Sequence, residues 1–333
     1  MVDLRVGIIG AGQAGERHAV GFAATPGTTL VGVADLAEDR ALGLTQQVGG
    51  RAFRDWRELL EAGLDILVVS LPHNMHVEPA EEAAARGVHV LMEKPLATTL
   101  EDARRIVTVC EDAGVKLTIS FVHRFREELQ QARRWLDAGL LGDPLVASER
   151  MGGQRGSHLP AWVGSKEVAG GGVLMYSAIH GIDRLRWLLS SDVRRVTAET
   201  RQLSGDTEVE EAVTALLTFE SGATATLTAE APLYRAQPAV WETELYGTGG
   251  MLRVRTRQFA ERSNDQGEEH LDTRPWSAEQ GPHYNFARQA QAFVRAIRED
   301  RVPDITPEDG LKSLEVAVAV YHSASSGKTV ELG

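Results

Sequence analysis

The fold of the amino-terminal part of the chain can be predicted from one stretch, Arg5-Val6-Gly7-Ile8-Ile9-Gly10-Ala11-Gly12-Gln13-Ala14-Gly15. It begins with a mostly apolar run typical of a buried strand, and a segment of helical periodicity follows to about Ala24. Between the two, the spacing Gly-x-Gly-x-x-Gly places three glycines at a strand-to-helix turn. There Gly10 permits the sharp bend, Gly12 admits a pyrophosphate, and Gly15 lets the helix pack closely on the strand. The stretch therefore predicts a dinucleotide-binding βαβ unit.

Four more apolar runs alternate with segments of helical periodicity in the first third of the chain. Short apolar runs flanked by helices indicate a parallel sheet that is covered on both faces. We therefore predict a doubly wound α/β domain that ends near Phe121. The further strands are expected at Leu30 to Ala34, Ile66 to Ser70, Val88 to Met92, and Leu117 to Ser120.

Beyond Asp143-Pro144 the pattern changes to longer strands of alternating polarity. Ala212 to Phe219 and Ala223 to Ala229 flank Ser221-Gly222, which is typical of a hairpin in an antiparallel sheet. Glycines at positions 247, 249 and 250 bracket another strand pair. A further strand is expected at Val193 to Gln202, and helices are expected at Asn285 to Arg298 and Pro307 to Ser323.

The composition restricts the possible partners and location. A chain of 333 residues predicts two domains, and a net charge of -12 without a basic stripe disfavours nucleic acid and membrane surfaces as partners. The amino terminus has no signal-peptide pattern, and no apolar run approaches the roughly 20 residues of a membrane span. The single cysteine, Cys110, cannot form an intrachain disulfide. We therefore expect a cytoplasmic protein.

The choice of dinucleotide depends on Asp35, which ends the second predicted strand 20 residues after Gly15. A carboxylate at this place accepts hydrogen bonds from both ribose hydroxyls and repels the 2′-phosphate of NADP. NAD is therefore preferred over NADP as the cofactor. Arg40 follows on the next helix, where we expect it to be a solvated surface charge.

Several further motifs follow in order along the chain. Glu93-Lys94-Pro95 comes directly after the predicted strand Val88 to Met92. The others are Pro72 with His76, Val122-His123-Arg124-Phe125-Arg126, Gly139-Leu140-Leu141-Gly142-Asp143-Pro144, and Gly170-Gly171-Gly172-Val173-Leu174 followed by His180 and Asp183. With the glycine motif at Gly10, they resemble the landmarks of the Gfo/Idh/MocA family of oxidoreductases over nearly the whole chain.

The resemblance implies two domains with one boundary. Residues 1–122 would form a Rossmann domain, and residues 123–333 an α/β domain for substrate binding and oligomerisation. The second domain is expected to contain a large, mainly antiparallel, open-faced sheet, with the carboxy-terminal helix packing back on the first domain. The resemblance further implies a homodimer or homotetramer formed through that sheet, with nicotinamide and substrate meeting between the domains.

Lys94 is the first catalytic candidate, because it stands at the carboxyl end of a parallel strand, where open α/β sheets bind ligands. The resemblance implies that Lys94 acts near the nicotinamide and the reacting hydroxyl. It also implies a cis Lys94-Pro95 bond, although trans is the general expectation for such a bond. On the triplet alone, a solvated lysine paired with Glu93 is the simpler interpretation. The expected cofactor contacts are Gly10, Gly12, Gln13, Ala14, Gly15, Asp35, Leu71, Pro72, His73, His76, Glu93 and Lys94, although His73 and His76 could instead stabilise a local turn.

The second catalytic candidate is His180, on a helix predicted from Val173 to Leu189. Tyr176, His180 and Asp183 share one face of that helix, and an imidazole can accept the hydroxyl proton. Tyr176 is the third catalytic candidate and stands where many family members have an aspartate. Its neutral phenol can donate or accept a hydrogen bond but cannot match the negative charge of that aspartate. A core histidine with one hydrogen bond remains the structural alternative for His180.

Arg124, Trp162 and Lys166 are expected to line the substrate site together with Tyr176 and His180, although Trp162 and Lys166 could equally anchor a loop. No metal is predicted, because the chain has no His-Glu-x-x-His and only one cysteine. The leading hypothesis is hydride transfer between NAD and a secondary alcohol or hemiacetal of a sugar, cyclitol or related polyol. Two alternatives stay open: an NAD-retaining glycosidase or lyase that oxidises its substrate transiently, and a non-catalytic dinucleotide sensor.

Overall fold

The computed structural model describes residues 2–153, 159–203, 207–231, 239–275, 281 and 283–333. The chain forms two compact units. The first unit consists of Met1–Phe125 and Gln280–Leu311, and the second consists of Arg126–Glu279 and Lys312–Gly333. These units do not follow the single boundary expected between residues 122 and 123. The reason is that Tyr284–Arg298, the helix α9, places Phe293 and Val294 in the same buried cluster as the first strand of the chain.

The first unit contains a six-stranded parallel sheet in the order β3-β2-β1-β4-β5-β6. The five strands predicted from the sequence are present, with small differences at their ends. The strand β3 was missed, because three residues are too few to show a periodicity. The strands are β1 (Leu4–Ile9), β2 (Thr28–Ala34), β3 (Arg51–Phe53), β4 (Ile66–Val69), β5 (His89–Met92) and β6 (Leu117–Ile119).

Helices flank this sheet and supply its core. Besides α9, they are α1 (Gln13–Ala23), α2 (Glu38–Val48), α3 (Trp56–Glu61), α4 (Val77–Ala85) and α5 (Leu100–Asp112). Ile8 and Val68 of the sheet pack with Phe22 of α1 and Phe293 of α9 in one buried cluster. Each such side chain contributes roughly 1.5–3 kcal/mol when it leaves water. The packing on α1 therefore explains why a carboxy-terminal helix belongs to the amino-terminal unit.

The second unit contains a nine-stranded sheet in the order β14-β13-β12-β11-β7-β10-β9-β8-β15. Only the pair β7 and β10 is parallel, and the predicted hairpin is formed by β9 and β10. The strands are β7 (Pro144–Gly152), β8 (Val193–Arg201), β9 (Ala212–Phe219), β10 (Thr224–Glu230), β11 (Val240–Gly247), β12 (Gly250–Arg255), β13 (Phe259–Asn264), β14 (Gly267–Asp272) and β15 (Val330–Glu331).

One face of this sheet packs against helices, and the other is open. The helices α6 (Glu127–Asp137) and α8 (Ile179–Leu189) contact the covered face. Val146 of β7, Leu216 of β9 and Tyr246 of β11 lie on the open face and are about half exposed, at 51%, 51% and 46%. The fold class predicted from the sequence is therefore confirmed. Two further α-helices are the short α7 (Lys166–Ala169) and the long α10 (Pro307–Ser326).

The helix predicted from Val173 to Leu189 is divided in the structure. Leu174–Ala178 forms a π-helical turn, and the α-helix α8 begins only at Ile179. The expectation of one continuous α-helix was therefore wrong over its first residues. Short π-helical turns occur often at functional sites. Among the described residues, no helix is long and apolar enough to cross a membrane.

A buried ion pair fixes α8 to the sheet. Arg184 of α8 and Glu149 of β7 have fully buried side chains, with 3.3 Å between Nη1 and Oε1. Thr243 of β11 accepts a hydrogen bond from Arg184 and donates one to Glu149 Oε2 at 2.5 Å. Burial raises the pKa of Glu149 to about 7, although Arg184 and Thr243 act in the opposite direction. The pair gives α8 a polar anchor one turn beyond His180.

Candidate active site

The glycine turn in the first unit has the geometry that its sequence predicts. Gly10 has a φ of +89°, and a Cβ there would lie 2.2 Å from the carbonyl oxygen of Ser70. A Cβ on Gly15 would lie 1.8 Å from the carbonyl oxygen of Gly10. A Cβ on Gly12, by contrast, would meet nothing within 4 Å. Two glycines are therefore required by backbone packing, and the third leaves open space at the amino terminus of α1.

Gln13 and Ala14 are the first residues of α1, which begins directly after Gly12. Gln13 is exposed and Ala14 is partly exposed. The backbone N–H groups of a first helical turn have no intrahelical partners and attract anions. This end of α1, with the open space at Gly12, therefore fits the pyrophosphate of a dinucleotide.

Asp35 connects the glycine turn to the end of β2. Its Oδ2 accepts a hydrogen bond from the backbone N–H of Ala11 at 2.8 Å, and Oδ1 accepts one from that of Ala37 at 2.8 Å. Arg40 also donates to Oδ1, at 3.0 Å, while its own side chain remains 61% exposed. Arg40 was expected to be a solvated surface charge; the structure adds that it is paired with Asp35.

Glu93 and Lys94 lie at the carboxyl end of β5, and the Lys94-Pro95 bond is cis. Glu93 Oε1 lies 2.8 Å from His18 Nε2, and Oε2 accepts a hydrogen bond from the Lys94 backbone N–H at 3.1 Å. Burial disfavours the charged form of Glu93, but His18, Lys94 and Ser120 outweigh it and lower its pKa to about 2. Glu93 is therefore an ionised carboxylate beside Lys94.

Two opposing influences act on the ammonium group of Lys94. Burial lowers the pKa of Lys94, and the positive charge of Arg17 lowers it as well, whereas the negative charge of Glu93 raises it. The net pKa lies below the usual value for lysine. A lysine with a lowered pKa exchanges a proton near neutral pH more readily than a solvated one. This environment differs from that of a surface lysine.

Leu71 and Pro72 lead from β4 into a 3₁₀ turn, His73–Met75, that precedes α4. His76 is completely buried, and its ring nitrogens lie 3.2 Å from the carbonyl oxygen of Leu96 and 3.1 Å from that of Leu71. The ring thus connects this turn to the loop after Lys94. His73 is also buried, with its ring centroid 6.2 Å from that of His76. These contacts favour the turn-stabilising alternative for His76.

Arg124 lies in the first unit and is held by an ion pair. Its guanidinium contacts both carboxylate oxygens of Asp309, at 2.8 and 3.3 Å, and only 7% of its side chain is exposed. Burial disfavours ionised Asp309, but Arg124 and Thr306 prevail and lower its pKa. Arg124 therefore has a defined structural partner, and its predicted contact with substrate stays a prediction.

The residues predicted for the substrate side lie in the second unit. Tyr176 is in the π-helical turn and partly exposed, and its ring centroid lies 6.4 Å from that of Trp162. His180 is nearly buried in the first turn of α8, with 9% exposure. Lys166 is exposed at the start of α7. The structure therefore brings Trp162 and Tyr176 together, as an aromatic pair.

Glu210 and Tyr321 hold the glycine run that precedes this turn. Glu210 accepts hydrogen bonds from the backbone N–H groups of Gly172 and Leu174, at 2.8 and 3.0 Å, and from the Tyr321 hydroxyl at 2.9 Å. A Cβ on Gly172 would lie 1.9 Å from the carbonyl oxygen of Glu210. These two residues were missed because they are distant in sequence from the segment that they hold.

His18, Ser120 and Gln289 were missed as well. His18 lies three residues after Gly15, on the buried face of α1, and a histidine in the same helix as the glycine motif was the one available signal. Gln289 is on α9, so only the folded unit shows its position. Among the described residues, no group of three or more His, Cys, Asp or Glu side chains is arranged to hold a metal ion.

Comparisons with known proteins agree over most of the chain. Residues 4–121 match the family model "Oxidoreductase family, NAD-binding Rossmann fold", and residues 129–253 match "GFO/IDH/MocA C-terminal domain". The chain is 30% identical to the rhizopine catabolism protein MocA of Rhizobium meliloti, over 96% of this chain and 94% of that protein. It is 29% identical to the 1,5-anhydro-D-fructose reductase of Ensifer adhaerens, over 98% of each.

A solved structure shows the same fold. GenD2 from gentamicin A biosynthesis, determined in complex with NAD, has a TM-score of 0.87 and 26% sequence identity to this chain. The similarity covers 100% of this chain and 97% of GenD2.

Proposed function

Because the chain belongs to the Gfo/Idh/MocA family of oxidoreductases, we propose that it transfers a hydride between NAD and a secondary alcohol or hemiacetal of a sugar, cyclitol or related polyol. The observation that carries this proposal is Lys94, whose pKa is lowered and whose backbone N–H binds an ionised Glu93. Both residues stand at the carboxyl end of β5, the sheet edge at which such folds bind their cofactor.

The chain's residues divide the work of binding and proton transfer. Bound NAD supplies the hydride acceptor. The open space at Gly12 and the amino terminus of α1 would hold its pyrophosphate, and Asp35 would accept hydrogen bonds from its ribose hydroxyls. Lys94 Nζ takes the hydroxyl proton as the carbon loses its hydride, and His180 assists as a second acceptor of protons. The products are the ketone or lactone, the reduced cofactor and one proton.

The proposal includes NAD in preference to NADP. Asp35 is held by two backbone N–H groups in a position where a 2′-phosphate would meet a fixed negative charge. Arg40 already pairs with the same carboxylate. Titration of each dinucleotide by calorimetry tests the preference, and tighter binding of NADP would contradict it.

The proposal also includes a cytoplasmic homo-oligomer that forms through the open face of the second unit. Val146 and Tyr246 are direct cross-strand neighbours, and Leu216 lies on the same face in β9, which β10 separates from the strand of Val146. Three half-exposed apolar side chains on one face of the sheet suit a self-complementary contact between two copies. Light scattering of the wild type and of Tyr246→Arg tests it, since the charged variant should be monomeric.

A panel of aldoses, inositols and sugar acids, incubated with NAD, tests the reaction itself. Net formation of reduced nicotinamide identifies the dehydrogenase and its substrate class. Tyr176 provides no negative charge near His180, which favours one alternative: an NAD-retaining glycosidase or lyase. That enzyme would consume a glycoside without net formation of reduced cofactor. A protein that bound NAD but consumed nothing in the panel would support the sensor instead.

A further inference from the structure

A buried chain of polar side chains lies behind Glu93 and Lys94 and has no part in the reaction as proposed above. Gln289 of α9 donates to the carbonyl oxygen of Ile119 at 3.0 Å and accepts from the Ser120 hydroxyl at 3.3 Å. Ser120 Oγ lies 3.3 Å from His18 Nε2, which is 2.8 Å from Glu93 Oε1. His18, Ser120 and Gln289 are each 1% exposed. We call these three residues the buried relay.

Burial of polar side chains costs free energy unless each group is hydrogen-bonded, so a buried polar cluster next to Lys94 is expected to have a role. Glu93 is ionised, so both of its oxygens are acceptors, and His18 Nε2 must carry the proton that lies between the two groups. The described residues offer no hydrogen-bond partner to His18 Nδ1. The edge-to-face contact with Phe286, at 4.8 Å, fixes the plane of the ring. Nε2 is therefore the nitrogen of this ring that has polar contacts among the described residues, with Glu93 Oε1 at 2.8 Å and the more distant Ser120 Oγ at 3.3 Å.

We propose that His18, supported by Ser120 and Gln289, is a positioning residue that holds the Glu93 carboxylate ionised and in place beside Lys94. The inference rests on the proposed role of Lys94. His18 occupies one oxygen of Glu93, which leaves the other to bind the Lys94 backbone N–H. Four elements of the unit meet here: α1, the carboxyl ends of β5 and β6, and α9.

The charges around Glu93 determine what the loss of His18 would do. His18 and Lys94 lower the pKa of Glu93, and the buried His76 also feels the charge of Glu93. Arg17 acts on Lys94 from the same helix as His18. Without His18, Glu93 loses the largest of the influences that oppose burial, so its pKa rises and the carboxyl becomes neutral at a higher pH. Lys94 then loses the negative charge that raises its own pKa.

A double-mutant cycle tests whether His18 acts through Glu93. We expect His18→Leu to lower kcat by roughly ten- to a hundredfold, the effect of losing one hydrogen bond to a charged group. Glu93→Gln should lower kcat by at least as much, and the double variant should be no slower than Glu93→Gln alone. His18→Gln retains a donor and should recover most of the loss, while the Kd for NAD stays within about threefold of wild type because the ribose and pyrophosphate contacts are intact.

The pH profile separates positioning from a merely structural role. In His18→Leu the acid limb of kcat/KM should move toward neutral pH, because Glu93 takes up its proton earlier. Ser120→Ala should move it less and in the same direction, and it provides the test if His18→Leu does not fold. A loss of thermal stability with an unchanged pH profile, or multiplicative effects of His18→Leu and Glu93→Gln on kcat, would overturn the proposal.

A direct titration of the Glu93 carboxyl distinguishes a failure of the relay proposal from a failure of the proposed function. The carboxyl ¹³C signal of Glu93, assigned by its absence in Glu93→Gln, should show an ionised group throughout the folded pH range of the wild type. In the His18 and Ser120 variants it should titrate at higher pH. If no substrate is turned over but this shift is found, the relay holds and the dehydrogenase assignment fails. If turnover is found and the Glu93 titration is unaffected by His18, the relay is wrong.

Discussion

Replacing Arg184 by leucine should destabilise the second unit strongly and in a pH-dependent way. Arg184 and Glu149 are fully buried, 3.3 Å apart, and Thr243 hydrogen-bonds to both. Removing one member of such a pair leaves an uncompensated buried charge and costs about 3–5 kcal/mol. The double variant Arg184→Leu/Glu149→Leu removes both charges, so it should recover most of that loss.

The pH dependence follows from Glu149, whose pKa of about 7 already exceeds the ordinary 4.5 because of burial. Arg184→Leu removes the charge that lowers this pKa, so it rises further. A carboxyl that binds its proton more tightly in the folded state contributes most to stability below pH 4.5, and the contribution is lost as the pH rises through the folded pKa. The deficit of Arg184→Leu should therefore be small near pH 5 and large near pH 8.

Urea unfolding followed by tryptophan fluorescence measures this effect. Trp56 is the only tryptophan of the first unit, so the signal reports mainly on the second. Arg201→Leu is the matched control, because its exposed pair with Glu199 is worth about 0–1 kcal/mol. A deficit that does not change between pH 5 and 8, or a double variant as unstable as Arg184→Leu, would show that the buried charge of Glu149 is not the cause.

Three further variants test the glycine turn, the cofactor preference and the support of the π-helical turn. Gly12→Ala should melt like the wild type but lose NAD affinity in calorimetry, whereas Gly15→Ala should lose both, since its Cβ would lie 1.8 Å from a carbonyl oxygen. Asp35→Ser should weaken NAD binding by at least about tenfold, the effect of losing one hydrogen bond to a charged group, and should reduce the difference between the affinities for NAD and NADP. An unchanged ratio of the two affinities would contradict the proposed role of Asp35. Tyr321→Phe should lower the melting temperature by removing one hydrogen bond to Glu210, and an unchanged melting curve would show that the contact is not needed.

The first unit was largely predictable from the sequence because its signals are local. Apolar runs marked β1, β2 and β4 to β6, and the glycine spacing located the turn at Gly10. The hairpin β9-β10 was equally clear, since its strands alternate and flank Ser221-Gly222. Each of these depends on neighbours in the chain, which periodicity and turn chemistry describe well.

The contacts that surround the candidate site could not be predicted, because they join distant residues. Gln289 reaches Ser120 across 169 positions, and Tyr321 reaches Glu210 across 111. Arg184 falls in a helix that looks amphipathic, and only the sheet opposite it shows that its partner, Glu149, is buried as well. The π-helical turn at Leu174–Ala178 has no signature in residue type. Sequence patterns place elements, whereas polar networks are decided by packing.

Hydride transfer can be followed directly as the passage of deuterium from substrate to cofactor. A sugar or cyclitol labelled at the reacting carbon is mixed with enzyme and NAD for a single turnover, and the nicotinamide is examined by mass spectrometry. Wild type and the exposed-lysine control Lys328→Ala should both place deuterium on the nicotinamide, while Lys94→Ala should bind NAD normally and transfer at least about a hundredfold more slowly, as expected for loss of a proton-transfer group. Equal transfer by Lys94→Ala and wild type, or no deuterium in the cofactor while substrate is consumed, would contradict the account.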